Sequence, residues 1–254
     1  MRAIHDPGFS DFALKVGNDS SPFENGEDIM LPRHILISID QNCSLMDKLI
    51  SSYHKKAILT KKNEDVDFIN QMLVTKQAGQ AFEYKSFDEA IDITTEQYPI
   101  EFLNTLRPSG LPPHHLVLNK NSPIILLRNL DLTSGLCNGT RLICRDFSRN
   151  VIEAEIVIGH HKDKYPFNFR RKYFPVKLSF AMTINKAQGQ TLDKVGIYLP
   201  QTIFSHGQLY IALSRAKESD DVTVAINPND STTDEWRKTK NIVCYQLLQR
   251  AGII

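Results

Sequence analysis

From Phe174 to Ile226 the chain changes period every few residues, and that switching limits the fold more than any other feature. "FPVKLSFA" reads as a strand, "MTINKA" as a helical turn or short helix and "KVGIYL" as a strand. "GQLYIALSRA" follows as a helix and "DVTVAI" as a strand. Short apolar strands alternating with helical segments stack as layers, so an α/β domain is expected. The first hundred residues add to it. "HILISI" looks like a buried strand, and "SLMDKLISSYH" places Leu45, Leu49 and Tyr53 on one helical face. Ala57 to Leu59 is a short strand, and Asn63 can cap a helix whose first turn carries Glu64, Asp65 and Asp67. Carboxylates there suit the positive end of the helix dipole. Val66, Ile69 and Leu73 form the expected buried stripe. Residues 1 to 32 carry weak periodicity, and "VGNDSSPFENGEDIMLP" reads as an extended loop.

Between about Tyr98 and Tyr173 the texture changes. Prolines cluster in "RPSGLPPHH", and the β-like runs "HLVL", "PIILLRNL", "TRLICRDF" and "VIEAEIVIG" follow, with the turn signal Asn138-Gly139 among them. Short strands at close spacing suggest a small all-β unit, a barrel or a curled sheet, inserted into the α/β domain.

Composition narrows the function classes. The 254 residues are 41% apolar and 23% charged, as in a soluble globular protein of one large or two ordinary domains. The net charge of +1 gives no global attraction to nucleic acid, although affinity for a phosphate backbone follows where the charges sit. Cys43, Cys137, Cys144 and Cys244 form no CxxC pair and match no common zinc spacing, so they read as reduced thiols of an intracellular protein. No apolar run approaches the ~20 residues a membrane helix needs. The opening "MRAIHDPGFS" has neither a secretion core nor an arginine-rich presequence.

Two segments carry chemistry. "SFAMTINKAQGQT", Ser179 to Thr191, sets an amide-rich polar turn after an apolar strand, as a plain loop or as a surface that grips phosphates. In "HGQLYIALSRA", Leu209, Ala212 and Leu213 can face the core, leaving Arg215 near the helix end. Taken alone, Arg215 is a solvated or helix-terminal charge; the sharper reading is an arginine that stabilises a transferring phosphoryl group. "FNFRRKYFPVK" interleaves Arg170, Arg171, Lys172 and Lys177 with aromatics, as a solvated edge strand or as a basic lip beside a nucleic-acid channel. Arg128, Lys120 and Arg141 read as surface charges. The pairs His114-His115 and His160-His161 do not read as metal ligands, because strand neighbours point to opposite faces.

These two segments, together with "GLPPHHLVLNKNSPIILLRNLDLTSGLCNGTRL", resemble the Pif-type DNA helicases, superfamily-one RecD-like motors that include forms carried by Helitron transposons. The resemblance covers nearly the whole chain and is strongest over 101–142 and 167–225. The family's motif V is a strand followed by Thr/Ser-x-His-Lys-x-Gln-Gly-Gln-Thr. Here it reads Thr183, Ile184, Asn185, Lys186, Ala187, Gln188, Gly189, Gln190, Thr191, with Asn185 in place of the histidine. An amide there keeps a hydrogen-bond donor without a titratable charge.

The resemblance implies a RecA-like second motor domain, its first part at 1–98 and its second at 173–254, with a β-barrel-like 2B insertion at 99–172. It implies DNA contact by Thr183, Asn185 and Lys186, with Arg170 and Arg171 near the channel. It implies nucleotide contact by Gln188, Gly189, Gln190 and Gln208, with Arg215 as the finger and Arg2 reaching the γ-phosphate. ATP and Mg²⁺ are the family's cofactors, single-stranded DNA its partner, and 5′→3′ unwinding in repair, recombination and telomere maintenance its activity. Its members' work implies a nuclear or mitochondrial location.

One departure weighs most. No Gly-Lys dipeptide exists in the chain, so no GxxxxGK[ST] phosphate loop exists, and neither Asp88-Glu89 nor Asp234-Glu235 follows an apolar strand. The expectation is therefore the C-terminal half of a helicase, inactive alone, binding neither ATP nor Mg²⁺ by itself and needing an N-terminal P-loop domain. The alternative is a stand-alone single-strand-binding module or an inactive transposon remnant.

Overall fold

The computed structural model describes residues 6–18, 28–37, 57–90, 99–106, 110–149, 151–158, 169–200, 205–226, 238–250 and 252. The chain divides into two compact units, Met1–Ile69 with Ala181–Ile254, and Asn70–Phe180.

The first unit is built on a four-stranded parallel sheet. Its order is Ala181–Thr183, Ala57–Thr60, Val195–Leu199, Val222–Ile226, and Leu36 adds a parallel bridge beside Val224. Every residue of Ala57–Thr60 is buried, which parallel strands covered on both faces require. Leu59, Val195, Ile197 and Val224 pack with Ile184, Ala187, Leu209, Ala212 and Leu213 into one core. This mixed α/β layering is that of a RecA-like domain. The helix Asn63–Lys76, whose residues from Asn70 onward belong to the second unit, begins where expected and buries Val66, Ile69 and Leu73.

Three readings are corrected here. Pro7–Asn18 is a helix that buries Phe9, Ala13 and Val16, so "VGN" closes a helix and does not open a loop. Asp6 Oδ1 accepts from the Phe9 amide at 2.9 Å, and proline suits the first helical position because it has no N–H to satisfy. In "HILISI", Arg33–Ile35 is a 3₁₀ turn and only Leu36 joins the sheet, while residues 38–39 lie outside the described residues, as does "SLMDKLISSYH". "FPVKLSFA" divides into Val176–Leu178, antiparallel to Pro123–Leu126, and Ala181–Thr183, parallel to Ala57–Thr60, so its halves serve different units.

The second unit is β-rich. Val176–Leu178, Pro123–Leu126, Arg141–Ser148 and Val151–Ile158 form a four-stranded antiparallel sheet in that order. Ala81–Lys85 pairs with His115–Asn119, and Phe87–Ala90 with Phe169–Lys172. These pairings make the compact unit wider than the 99–172 read from texture. The described strands form separate ladders and no closed barrel. Leu116, Leu118, Ile124, Leu126, Leu142, Cys144 and Val176 make its core.

Candidate nucleotide and single-strand site

The residues singled out in Thr183–Thr191 and His206–Arg215 lie in the α/β unit. Thr183 ends its strand with extended backbone, and the helix Ile184–Ala187 buries Ile184 and Ala187 while Asn185 and Lys186 stay exposed. Alternation of buried and exposed residues over one helical turn thus turns an amide and an ammonium outward. Gln188 and Gly189 are also exposed. Gly189 has φ +86, and the space a Cβ would enter is open, so backbone rotation and not crowding calls for glycine. Gln190 folds back into the protein: its amide donates to Ala187 O at 3.0 Å and its Nε2 to Lys186 O at 3.1 Å.

Gly207, at φ +68, leads into the helix Gln208–Leu213, whose Gln208, Leu209, Ala212 and Leu213 are buried. Arg215 lies just past the helix end and is 9% exposed. Its Nε donates to Ile211 O at 2.8 Å, Nη1 to Gln190 O at 3.1 Å and Nη2 to Ser214 Oγ at 2.7 Å. The Leu192 amide returns a bond to Arg215 O at 3.1 Å. The polar turn and the arginine are therefore one hydrogen-bonded piece. The buried guanidinium meets the negative end of its own helix, so Arg215 here is a helix-terminal charge, though not a solvated one.

Thr183, Asn185, Lys186, Gln188, Gly189 and Gln190 thus share one turn, and Arg215 joins it. Gln208 sits on the same helix that leads to Arg215. Arg170 and Arg171 lie on the strand Phe169–Lys172 of the other unit, with their side chains outside the description. Arg2 lies outside the described residues, as do His160 and His161. Ser214 escaped sequence reading. It holds Arg215 from the adjacent position while its own hydroxyl donates to Ile211 O at 3.0 Å.

The residues fit part of a nucleotide. Gln208 is 2% exposed, and its Oε1 is buried with no hydrogen-bond partner among the described residues. That atom accepts only, so it suits an N–H or O–H of a nucleoside and not a phosphate oxygen. For Mg²⁺ the fit is absent: among the described residues no three His, Cys, Asp or Glu side chains come together to hold an ion. His114 and His115 are otherwise engaged. The first lies 2.9 Å from Ser86 Oγ through Nδ1, the second 3.0 Å from Glu83 Oε2 through Nε2.

Comparison with known proteins agrees with this layout. The family model described as "DNA helicase Pif1, 2B domain" matches residues 101–147, and one described as "Helicase" matches residues 172–253. The ATP-dependent DNA helicase PIF1 of Candida albicans is 38% identical over 217 residues, 84% of this chain and 20% of that protein. The Xenopus laevis protein of the same name is 28% identical over 174 residues, 63% of this chain and 26% of that one. The chain thus spans about a quarter of these curated relatives. Among solved structures, Bacteroides Pif1 bound to single-stranded DNA superposes with a TM-score of 0.59 at 18% identity, over 97% of this chain and 53% of that one. A Pif1 structure solved for unwinding at forked DNA gives 0.60 at 20% identity, over 97% and 52%. Likeness at that identity shows a shared fold. With the matches on either side of residue 170, this chain carries a Pif1-type helicase region.

Proposed function

We propose that the chain serves as the second RecA-like motor unit of an ATP-dependent 5′→3′ DNA helicase. The bond from Arg215 to Gln190 O carries this reading, because it couples a phosphoryl-stabilising arginine to a turn that presents Asn185 and Lys186. In such a motor, Asn185 and Lys186 hold the strand backbone, the amide as donor and the ammonium as point charge. Gln208 accepts a hydrogen bond from the nucleoside. Arg215 leaves Gln190 O for the γ-phosphate when nucleotide arrives, and the freed turn shifts the strand grip. ATP supplies the phosphoryl group whose developing charge Arg215 stabilises. The phosphate loop and the Mg²⁺ ligands come from a P-loop domain outside this chain, so these residues alone hydrolyse no ATP. Repair, recombination and telomere maintenance are the settings this activity fits, in nucleus or mitochondrion.

Fluorescence anisotropy with a labelled single-stranded oligonucleotide across a salt series tests the reading. Salt-dependent binding weakened several-fold by Lys186→Ala is expected. Absence of binding at low salt, or binding indifferent to Lys186, refutes it.

A further inference from the structure

The β-rich unit contains a cavity of about 400 Å³ that plays no part in the site above. Its wall includes Tyr84, Tyr173, Phe174, His114, Lys85 and Arg149. Ligand pockets run from about 300 to 1,000 Å³, so this one holds a nucleotide-sized group and not a duplex.

The aromatic part is rigid. Tyr84 Oη donates to Ser148 O at 3.0 Å, and its ring meets Phe174 edge-on with centroids 4.9 Å apart. Arg128 Cζ lies 5.8 Å from the Tyr173 ring centroid. His114 is fixed as well. Ser86 Oγ donates to the buried Asp88 at 3.0 Å and lies 2.9 Å from His114 Nδ1.

The charged part is positive. The wall carries one carboxylate, Glu83, whose Oε2 lies 3.0 Å from His115 Nε2, against two cations, Lys85 and Arg149, which are exposed and have no acidic partner among the described residues. Fixed aromatic rings beside exposed cations are what a single strand needs, rings for an unstacked base and cations for its phosphates.

We propose that this cavity is a second single-strand subsite, taking one unstacked nucleobase against Tyr84, Tyr173 and Phe174 with its flanking phosphates on Lys85 and Arg149. The proposal rests on the single-strand reading given above and adds a grip in the β-rich unit to the one at Lys186.

The test uses the full chain and a dodecamer of deoxythymidine, in anisotropy over a salt series and, with 5-iodouracil, in photocrosslinking. Lys85→Ala with Arg149→Ala is expected to weaken binding five- to twenty-fold. It should also reduce the salt slope by about 1.4, at about 0.7 for each phosphate contact to a single strand. Lys120→Ala, on an exposed side chain outside the cavity wall, should leave both unchanged. Crosslinks should fall on Tyr84, Tyr173 or Phe174. Undiminished binding by the double variant, with crosslinks confined to residues 183–191, overturns the subsite and leaves the single-strand reading standing. No salt-dependent binding by the unaltered chain overturns both.

Discussion

Arg215 Nη1 donates to the backbone carbonyl of Gln190 at 3.1 Å, across 25 residues of sequence. One bond thereby fastens the polar turn to the end of the helix Gln208–Leu213. Arg215→Ala would remove it together with the bonds to Ile211 O and Ser214 Oγ. Hydrogen bonds to a charged group contribute about 1.5–3 kcal/mol each at most, and some of that returns as water reaches the site. A net loss of about 2 kcal/mol in urea denaturation is expected. Arg215→Lys should recover less than half, because one ammonium does not reproduce the planar fork. An unchanged midpoint for Arg215→Ala would show that the arginine is not held this way in solution.

Gly189 gives a cleaner backbone test, since it has φ +86 and no atom within 4 Å of where a Cβ would stand. Any cost of substitution is then conformational. Gly189→Ala should destabilise the chain by about 1–2 kcal/mol, and Gly189→Asn by less, because asparagine tolerates the left-handed region better. Equal losses for the two would point to a packing effect and contradict the open space.

Local pattern carried much of this fold. Ala57–Thr60, Val195–Leu199 and Val222–Ile226 are apolar runs bounded by polar residues, and each is a sheet strand. The helix Pro7–Asn18 was legible from Asp6-Pro7 but was masked by Gly8, Ser10 and Gly17, which dilute its apolar stripe. "FPVKLSFA" misled because one apolar run serves two sheets, and only tertiary contacts such as Ser179 N to Pro123 O reveal the break. The burial of Arg215 depends on Gln190, distant in sequence, so no local pattern announces it. The cavity at Tyr84 draws its wall from four separated stretches of chain, and spacing along the sequence carries no trace of that.

Asn119 holds a helix end within the β-rich unit, which contains the helix from Asn70 onward. Its Nδ2 lies 3.2 Å from both Val74 O and Gln77 O, at the end of Asn63–Lys76. Helix-terminal carbonyls lack partners of their own, and Asn119 is 3% exposed, so water does not readily replace it. Asn119→Ala should cost about 1–3 kcal/mol by thermal or urea unfolding. Asn119→Ser, which cannot span both carbonyls, should give little rescue.

Cys144 lies in the core of the same unit, and burial pushes its thiol up to about 12. At pH 8 it is almost wholly protonated, whereas alkylation needs the thiolate. Iodoacetamide at pH 8 should therefore label the half-buried Cys137 and Cys244 well before Cys144, as read by peptide mass spectrometry. Early labelling of Cys144 would mean that the core around Leu116 and Leu142 opens on the labelling timescale.

Asp131 organises the exposed loop between Pro123–Leu126 and Arg141–Ser148. Its Oδ1 accepts from the Thr133 amide at 2.9 Å and the Thr133 hydroxyl at 2.6 Å, and its Oδ2 from Ser134 Oγ at 2.6 Å. These bonds, Ser134 first, hold the carboxyl at about 2, below its ordinary 3.8. The folded state thus binds its proton less readily than the unfolded chain. The stabilisation is complete above about 3.8 and fades as the pH falls through about 2. A nuclear magnetic resonance titration of the Thr133 amide should show its midpoint near 2. Asp131→Asn should abolish that transition and raise hydrogen exchange at Thr133 and Leu136, whose amides are bonded within the loop. A midpoint at the ordinary carboxylate value would show that the loop does not hold these bonds in solution.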